Sequence, residues 1–172
     1  MDFEDIVRPY ISILFRIAYT YVKDSHAAED IVQDVLIKAY ERQTQFRGEA
    51  NYETYLVKMT INRSYDYLRS WHYRQLVLTN KWSDLLNHSH TPENSLLTKE
   101  QNITVAELIL RLQPKYREVL FFYYYLQYDV NEIAMLLKLS VNTVKTRLVR
   151  ARKMLKNLTT KLEVDFNETE FN

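Results

Sequence analysis

A single glycine, Gly48, and three prolines, Pro9, Pro92 and Pro114, punctuate a chain of 172 residues. Folds built from many short strands need frequent tight turns, and those turns draw on residues that tolerate positive φ or arrive with φ already fixed. Helices need only caps, so the sequence predicts an all-α fold. With 47% apolar and 26% charged residues, the chain has the composition of a soluble globular protein that can bury a core. Its length admits one domain or two small helical ones. The absence of cysteine removes disulfides, thiolate nucleophiles and cysteine-bound metals, and agrees with a reducing compartment. The N-terminal Met1-Asp2-Phe3-Glu4-Asp5 is acidic where a signal peptide is basic, and no apolar run approaches membrane-spanning length. A cytoplasmic protein without membrane insertion is expected.

The apolar spacing then places the helices. Ile6, Tyr10, Ile13, Leu14, Ile17, Ala18 and Tyr21 recur at three and four, predicting a helix over 6–22 that Pro9 either kinks or begins. Ser25 is the expected N-cap of a second helix with a broad apolar stripe of Ala27, Ala28, Ile31, Val32, Val35, Leu36, Ala39 and Tyr40. The loop around Gly48 leads to a third helix over about 51–73, in which aromatic residues interleave with Lys58, Arg63, Arg69 and Arg74 as they do on nucleic-acid surfaces. Residues 76–91 lose helical periodicity and are expected to form a flexible linker between two small helical domains. Thr91-Pro92-Glu93 resembles a cap with proline at the first helical position, and Pro114 opens a further helix carrying the aromatic run 121–126, read as core. The tail, 163–172, is acidic.

The net charge of +1 conceals a local imbalance: 138–161 carries Lys138, Lys145, Arg147, Arg150, Arg152, Lys153, Lys156 and Lys161 with no acidic residue among them. This basic stretch overlaps a pattern of helix, tight turn and helix over 129–148. Ile133, Leu137, Leu139, Val144 and Leu148 are placed to pack the two helices, small Ala134 allows close approach, and Ser140 is placed to cap the second. Lys138 stands in the turn where many such motifs carry glycine. The second helix presents Asn142, Thr143, Lys145, Thr146, Arg147, Val149 and Arg150 near its start, the residue types a major groove demands. A DNA-binding helix-turn-helix is expected.

Tyr116-Arg117-Glu118-Val119-Leu120, Asn131-Glu132-Ile133-Ala134 and the segment 143–152 resemble the C-terminal domain of the extracytoplasmic-function sigma factors, a branch of the sigma-70 family of RNA polymerase subunits. The block 28–40, followed by Phe46-Arg47-Gly48 and Tyr67-Leu68-Arg69, resembles their N-terminal domain in the same order. The resemblance implies a sigma factor that binds core RNA polymerase and directs it to promoter DNA to initiate transcription, in a stress or envelope response, with an anti-sigma factor as a further partner. It assigns 1-75 to polymerase binding and to recognition and melting of the −10 element, and 92-162 to recognition of the −35 element. Residue by residue, it implies core-polymerase binding by Glu29, Asp30, Gln33 and Asp34. It implies −10 contacts by Phe46, Arg47, Asn62, Arg63 and Arg69, with Phe46 and Asn62 forming a pocket for an unstacked base. The −35 contacts fall to Asn142, Thr143, Lys145, Thr146, Arg147 and Arg150. Tyr55 departs from the tryptophan often found at its position.

No glycine-rich phosphate loop or nucleophile motif is present, so no catalytic residue and no cofactor are expected. His88-Ser89-His90 has no third ligand at metal spacing. A free-standing helix-turn-helix regulator is the alternative, but it needs a self-complementary dimer surface, and the sequence has no obvious heptad seam.

Overall fold

The computed structural model describes residues 3–42, 51–70 and 104–161, and every element among them is helical. The chain divides into two compact units, Met1–Leu96 and Leu97–Asn172. The Gly48 loop, the start of a helix at Pro92, the linker 76–91, the tail 163–172 and the domain limits at 75 and 92 lie outside the described residues.

In the first unit the helix expected over 6–22 is interrupted. α1 spans Phe3–Val7, a 3-10 turn carries Arg8–Tyr10, and α2 resumes at Ile11–Val22. Pro9 lacks an N–H and its ring crowds the carbonyl one turn back, so the chain tightens around it before the α pattern returns. Lys23 then takes the left-handed conformation at φ 58° and ψ 20° and closes α2 by donating to the Tyr19 carbonyl at 2.9 Å. The cap of α3, Ser25–Glu41, is Asp24 and not Ser25. Asp24 holds the extended backbone that a cap requires, and its carboxylate accepts the Ala27 N–H at 2.7 Å.

Ala27, Ala28, Ile31, Val32, Val35 and Ala39 of α3 are buried as expected. Tyr40 is not: it is 56% exposed and lies edge-to-face with the Phe3 ring, with centroids 5.2 Å apart. α4 spans Tyr52–Arg69, capped by the Asn51 side chain, and ends before the expected limit near residue 73. It buries Leu56, Val57 and Ile61 against α2 and α3. Thr60 and Ser64 join that buried face because each hydroxyl donates to the carbonyl one turn back, at 2.9 and 2.8 Å, so neither burial leaves a polar group unsatisfied.

In the second unit Thr104 and Glu107 form a reciprocal capping box at the start of α5, Val105–Arg111. Pro114 opens α6, Pro114–Leu120, at the position where its missing N–H is harmless. The aromatic run continues as a π-turn, Phe121–Tyr125, closed by the Leu126 N–H to the Phe121 carbonyl at 3.1 Å. Consecutive side chains on a helical turn cannot all face inward. Of the run read as core only Phe122 is fully buried, and Tyr125 is 48% exposed.

A second capping box, Asp129 with Glu132, starts α7, Val130–Leu137. Lys138 ends it at φ 54° and ψ 46°, the left-handed geometry that glycine adopts most easily, and Leu139 donates back to the Ala134 carbonyl at 2.9 Å. Ser140 accepts the Thr143 N–H at 3.1 Å and so caps α8, Val141–Lys161. α8 packs on α5, α6 and α7 through Val144, Leu148, Ala151 and Leu155, opposite Ile133 and Ala134. Leu137 and Leu139, expected in the same seam, are half-buried.

Candidate nucleic-acid interface

The turn at Lys138 and the cap at Ser140 set the start of α8, and its spacing turns Val144, Leu148, Ala151 and Leu155 inward. Asn142, Lys145, Thr146, Val149 and Arg150 consequently face solvent, with Thr143 and Arg147 at the margin. A groove of about 310 Å³ runs between this helix and the start of α6, lined by Asn142, Thr143, Thr146, Arg147 and Arg150 on one side and by Lys115 and Tyr116 on the other. Five of the six residues expected to read the −35 element thus converge on one concavity; Lys145 is exposed on the same helix outside it. Hydroxyl, amide and cationic groups along a groove can hydrogen-bond base edges and neutralise phosphates.

Lys115 was not legible as a site residue. A base after Pro114 is unremarkable in sequence, and only the packing of α6 on α8 brings it to the groove, with its ammonium 5.0 Å from the Tyr116 ring centroid. In the sequence Glu118 likewise stands out only as part of a family block. It is 1% exposed and accepts a hydrogen bond from Arg147 Nη1 at 2.8 Å, the Arg147 side chain being 23% exposed. Arg152 of the basic stretch faces inward instead: its Nε donates to the Tyr124 hydroxyl at 2.8 Å, and its guanidinium lies 5.7 Å from the Tyr123 and Tyr124 ring centroids.

In the first unit Glu29, Asp30 and Gln33 are exposed on α3, and His26 approaches Glu29 at 3.9 Å. Asp34, expected with them to meet a protein partner, accepts hydrogen bonds from Arg63 Nη2 at 2.6 Å and Nε at 2.7 Å. Arg63 was expected to face DNA, so one ion pair joins residues assigned to two different partners. Asn62 and Arg69 on α4 are exposed, Arg69 lying 5.8 Å from the Tyr65 ring centroid. Tyr55 is half-buried and tilted against Tyr52, with centroids 5.9 Å apart. Burial, then the neighbouring Tyr55, pushes the Tyr52 hydroxyl above the ordinary tyrosine range. Phe46, Arg47, Arg74, His72, His88 and His90 lie outside the described residues. Among the described residues no group of three or more His, Asp or Glu side chains is placed to hold a metal ion, and no helix is long and apolar enough to cross a membrane.

Residues 6–73 match the family model Sigma-70 region 2, and residues 103–155 match Sigma-70, region 4. The chain is 29% identical over 162 residues to the ECF RNA polymerase sigma factor SigW of Bacillus subtilis, covering 90% of this chain and 87% of that protein. It is 25% identical to the ECF RNA polymerase sigma factor SigM of the same organism, covering 92% and 95%. Among solved structures, the sigma factor RpoE of Bartonella quintana, in complex with the anti-sigma factor NepR, shares the fold with a TM-score of 0.69 and 22% identity over 96% of this chain and 99% of that one.

Proposed function

Because the chain belongs to the extracytoplasmic-function group of the sigma-70 family, we propose a division of its promoter recognition between two helical units, one reading each element. The protein is a sigma factor: it binds core RNA polymerase and directs it to promoters. Residues 1-75 bind the polymerase through the acidic and polar face of α3, Glu29, Asp30, Gln33 and Asp34, where carboxylates pair with basic side chains on a partner helix. The same unit reads and melts the −10 element. Phe46 and Asn62 take an unstacked base, while Arg47, Arg63 and Arg69 hold the backbone.

Residues 92-162 read the −35 element through Asn142, Thr143, Lys145, Thr146, Arg147 and Arg150, with Lys115 supplying a charge from the opposite lip. The groove carries this reading, since residues from two helices line one polar concavity. The linker, 76–91, tethers the units so that binding at one element raises the effective concentration at the other. The catalytic step belongs to the polymerase, and the chain acts in the cytoplasm, in a stress or envelope response. The RpoE structure with NepR supports an anti-sigma factor as a partner here too.

In-vitro transcription with core polymerase and genomic promoter fragments, with and without this chain, tests the proposal. New start sites are expected only when the chain is present. Retardation of fragments by the chain alone, without any new start site, identifies a free-standing regulator instead.

A further inference from the structure

Glu118 is an expensive residue to keep where it is. A carboxylate with 1% exposure has lost its hydration and must be compensated by a partner, and an apolar side chain of similar size commonly stabilises such a position as well or better. Stability alone therefore does not account for it. Its position suggests another use: it holds Arg147 Nη1 at 2.8 Å while the same arginine lines the groove.

An arginine on a helix surface has a long, mobile stem, and its guanidinium recognises a base edge only when the planar fork is presented at a fixed angle. A bond from one nitrogen to a buried carboxylate restricts the orientations open to that plane, and a guanidinium has further N–H donors besides the one so used. Arg150 and Lys145, on the same helix, are exposed; they supply charge without a set orientation, which suits phosphates. Resting on the reading of this groove as the −35 interface, we propose that Glu118 is a positioning residue for sequence selection: its buried carboxylate orients Arg147 toward a base edge and itself touches no DNA.

This separates two quantities that a purely structural role would move together. Removing the Glu118 charge frees Arg147 and also removes a negative charge close to DNA. Discrimination should fall while binding to arbitrary sequence holds or tightens. The test uses the full chain in holoenzyme, with promoter fragments whose upstream element is randomised one base pair at a time, and a scrambled fragment as the non-specific reference. Glu118→Gln is expected to lower the preference at one or two adjacent positions about tenfold, the scale of one good bidentate base contact, with binding to the scrambled fragment unchanged or a few-fold tighter. Arg147→Lys should lose preference at the same positions, and the double variant should lose no more than either single one. Glu118→Met, which removes the charge and keeps an apolar side chain of similar length, provides the same readout if the amide is poorly accommodated; thermal unfolding establishes that each variant is folded.

Wild-type preference in both folded Glu118 variants overturns the proposal, as does an equal loss of affinity for every sequence. If the wild-type chain itself shows no preference in the upstream element, the −35 reading of the groove fails first. That outcome is distinct from a preference that ignores Glu118.

Discussion

Each unit holds an arginine against a carboxylate 29 positions earlier in the chain, Arg63 on Asp34 and Arg147 on Glu118, and the two pairs differ in their access to water. Arg63 and Asp34 are both more than a third exposed, whereas Glu118 is sealed. An exposed pair is screened by salt, and water compensates either partner if the other leaves. A sealed carboxylate has no such alternative. The first unit therefore carries charges that another molecule can recruit, while the second has built one of its charges into the frame that supports its helix-turn-helix. Similar chemistry serves as a surface contact in one place and as scaffolding in the other.

The sharpest way to break this comparison is Arg147→Ala, which removes the ion-pair partner of a sealed carboxylate. A loss of about 3–5 kcal/mol in the second unit is expected on thermal or denaturant unfolding; a loss comparable to that of an exposed pair would show that the remaining surroundings of Glu118 compensate its charge. Asp129→Ala removes the carboxylate that accepts two N–H groups at the start of α7, and about 1 kcal/mol should go with it, measured by the same unfolding. Arg63→Ala is expected to cost less than about 1 kcal/mol, and the deficit should shrink as salt is raised. A deficit insensitive to salt would show that the two pairs are alike after all. Smallest, and opposite in sign, Lys138→Gly should stabilise the second unit by about half a kcal/mol, because glycine reaches the left-handed region without a Cβ penalty but loses more freedom on folding. A lower melting temperature would mean that the lysine stem contributes packing that outweighs its strained backbone.

Much of the architecture could be read from apolar spacing and the scarcity of glycine. The periods of α2, α3, α4 and α8, the proline at the start of α6 and the cap at Ser140 are local facts, visible within a turn or two of sequence. Lys138 shows how far such reading reaches: its place in the turn marked a glycine-like position, and the structure finds it left-handed. Sequence is a poorer guide where neighbouring residues compete for one role. Asp24 displaced Ser25 as a cap because the choice depends on which residue holds extended backbone. The aromatic run could not be sorted into inner and outer faces because a π-turn changes the angular step between residues. Lys115, Glu118 and the Asp34–Arg63 pair were illegible as site features for a different reason. Their significance lies in contacts between helices, and spacing along one helix does not record them.

The length of α8 has a mechanical consequence. Its 21 residues make a rod of roughly 30 Å, but the residues that it gives to the groove all come from its first three turns. In a rod of that length, a pivot of about 10° at one end displaces the other by roughly 5 Å, more than the reach of a hydrogen bond. The turns around Lys153 and Lys156 line no part of the groove, and Leu155 between them is buried. A substitution there that changed how this end of the helix packs would be magnified at Asn142 and Arg147.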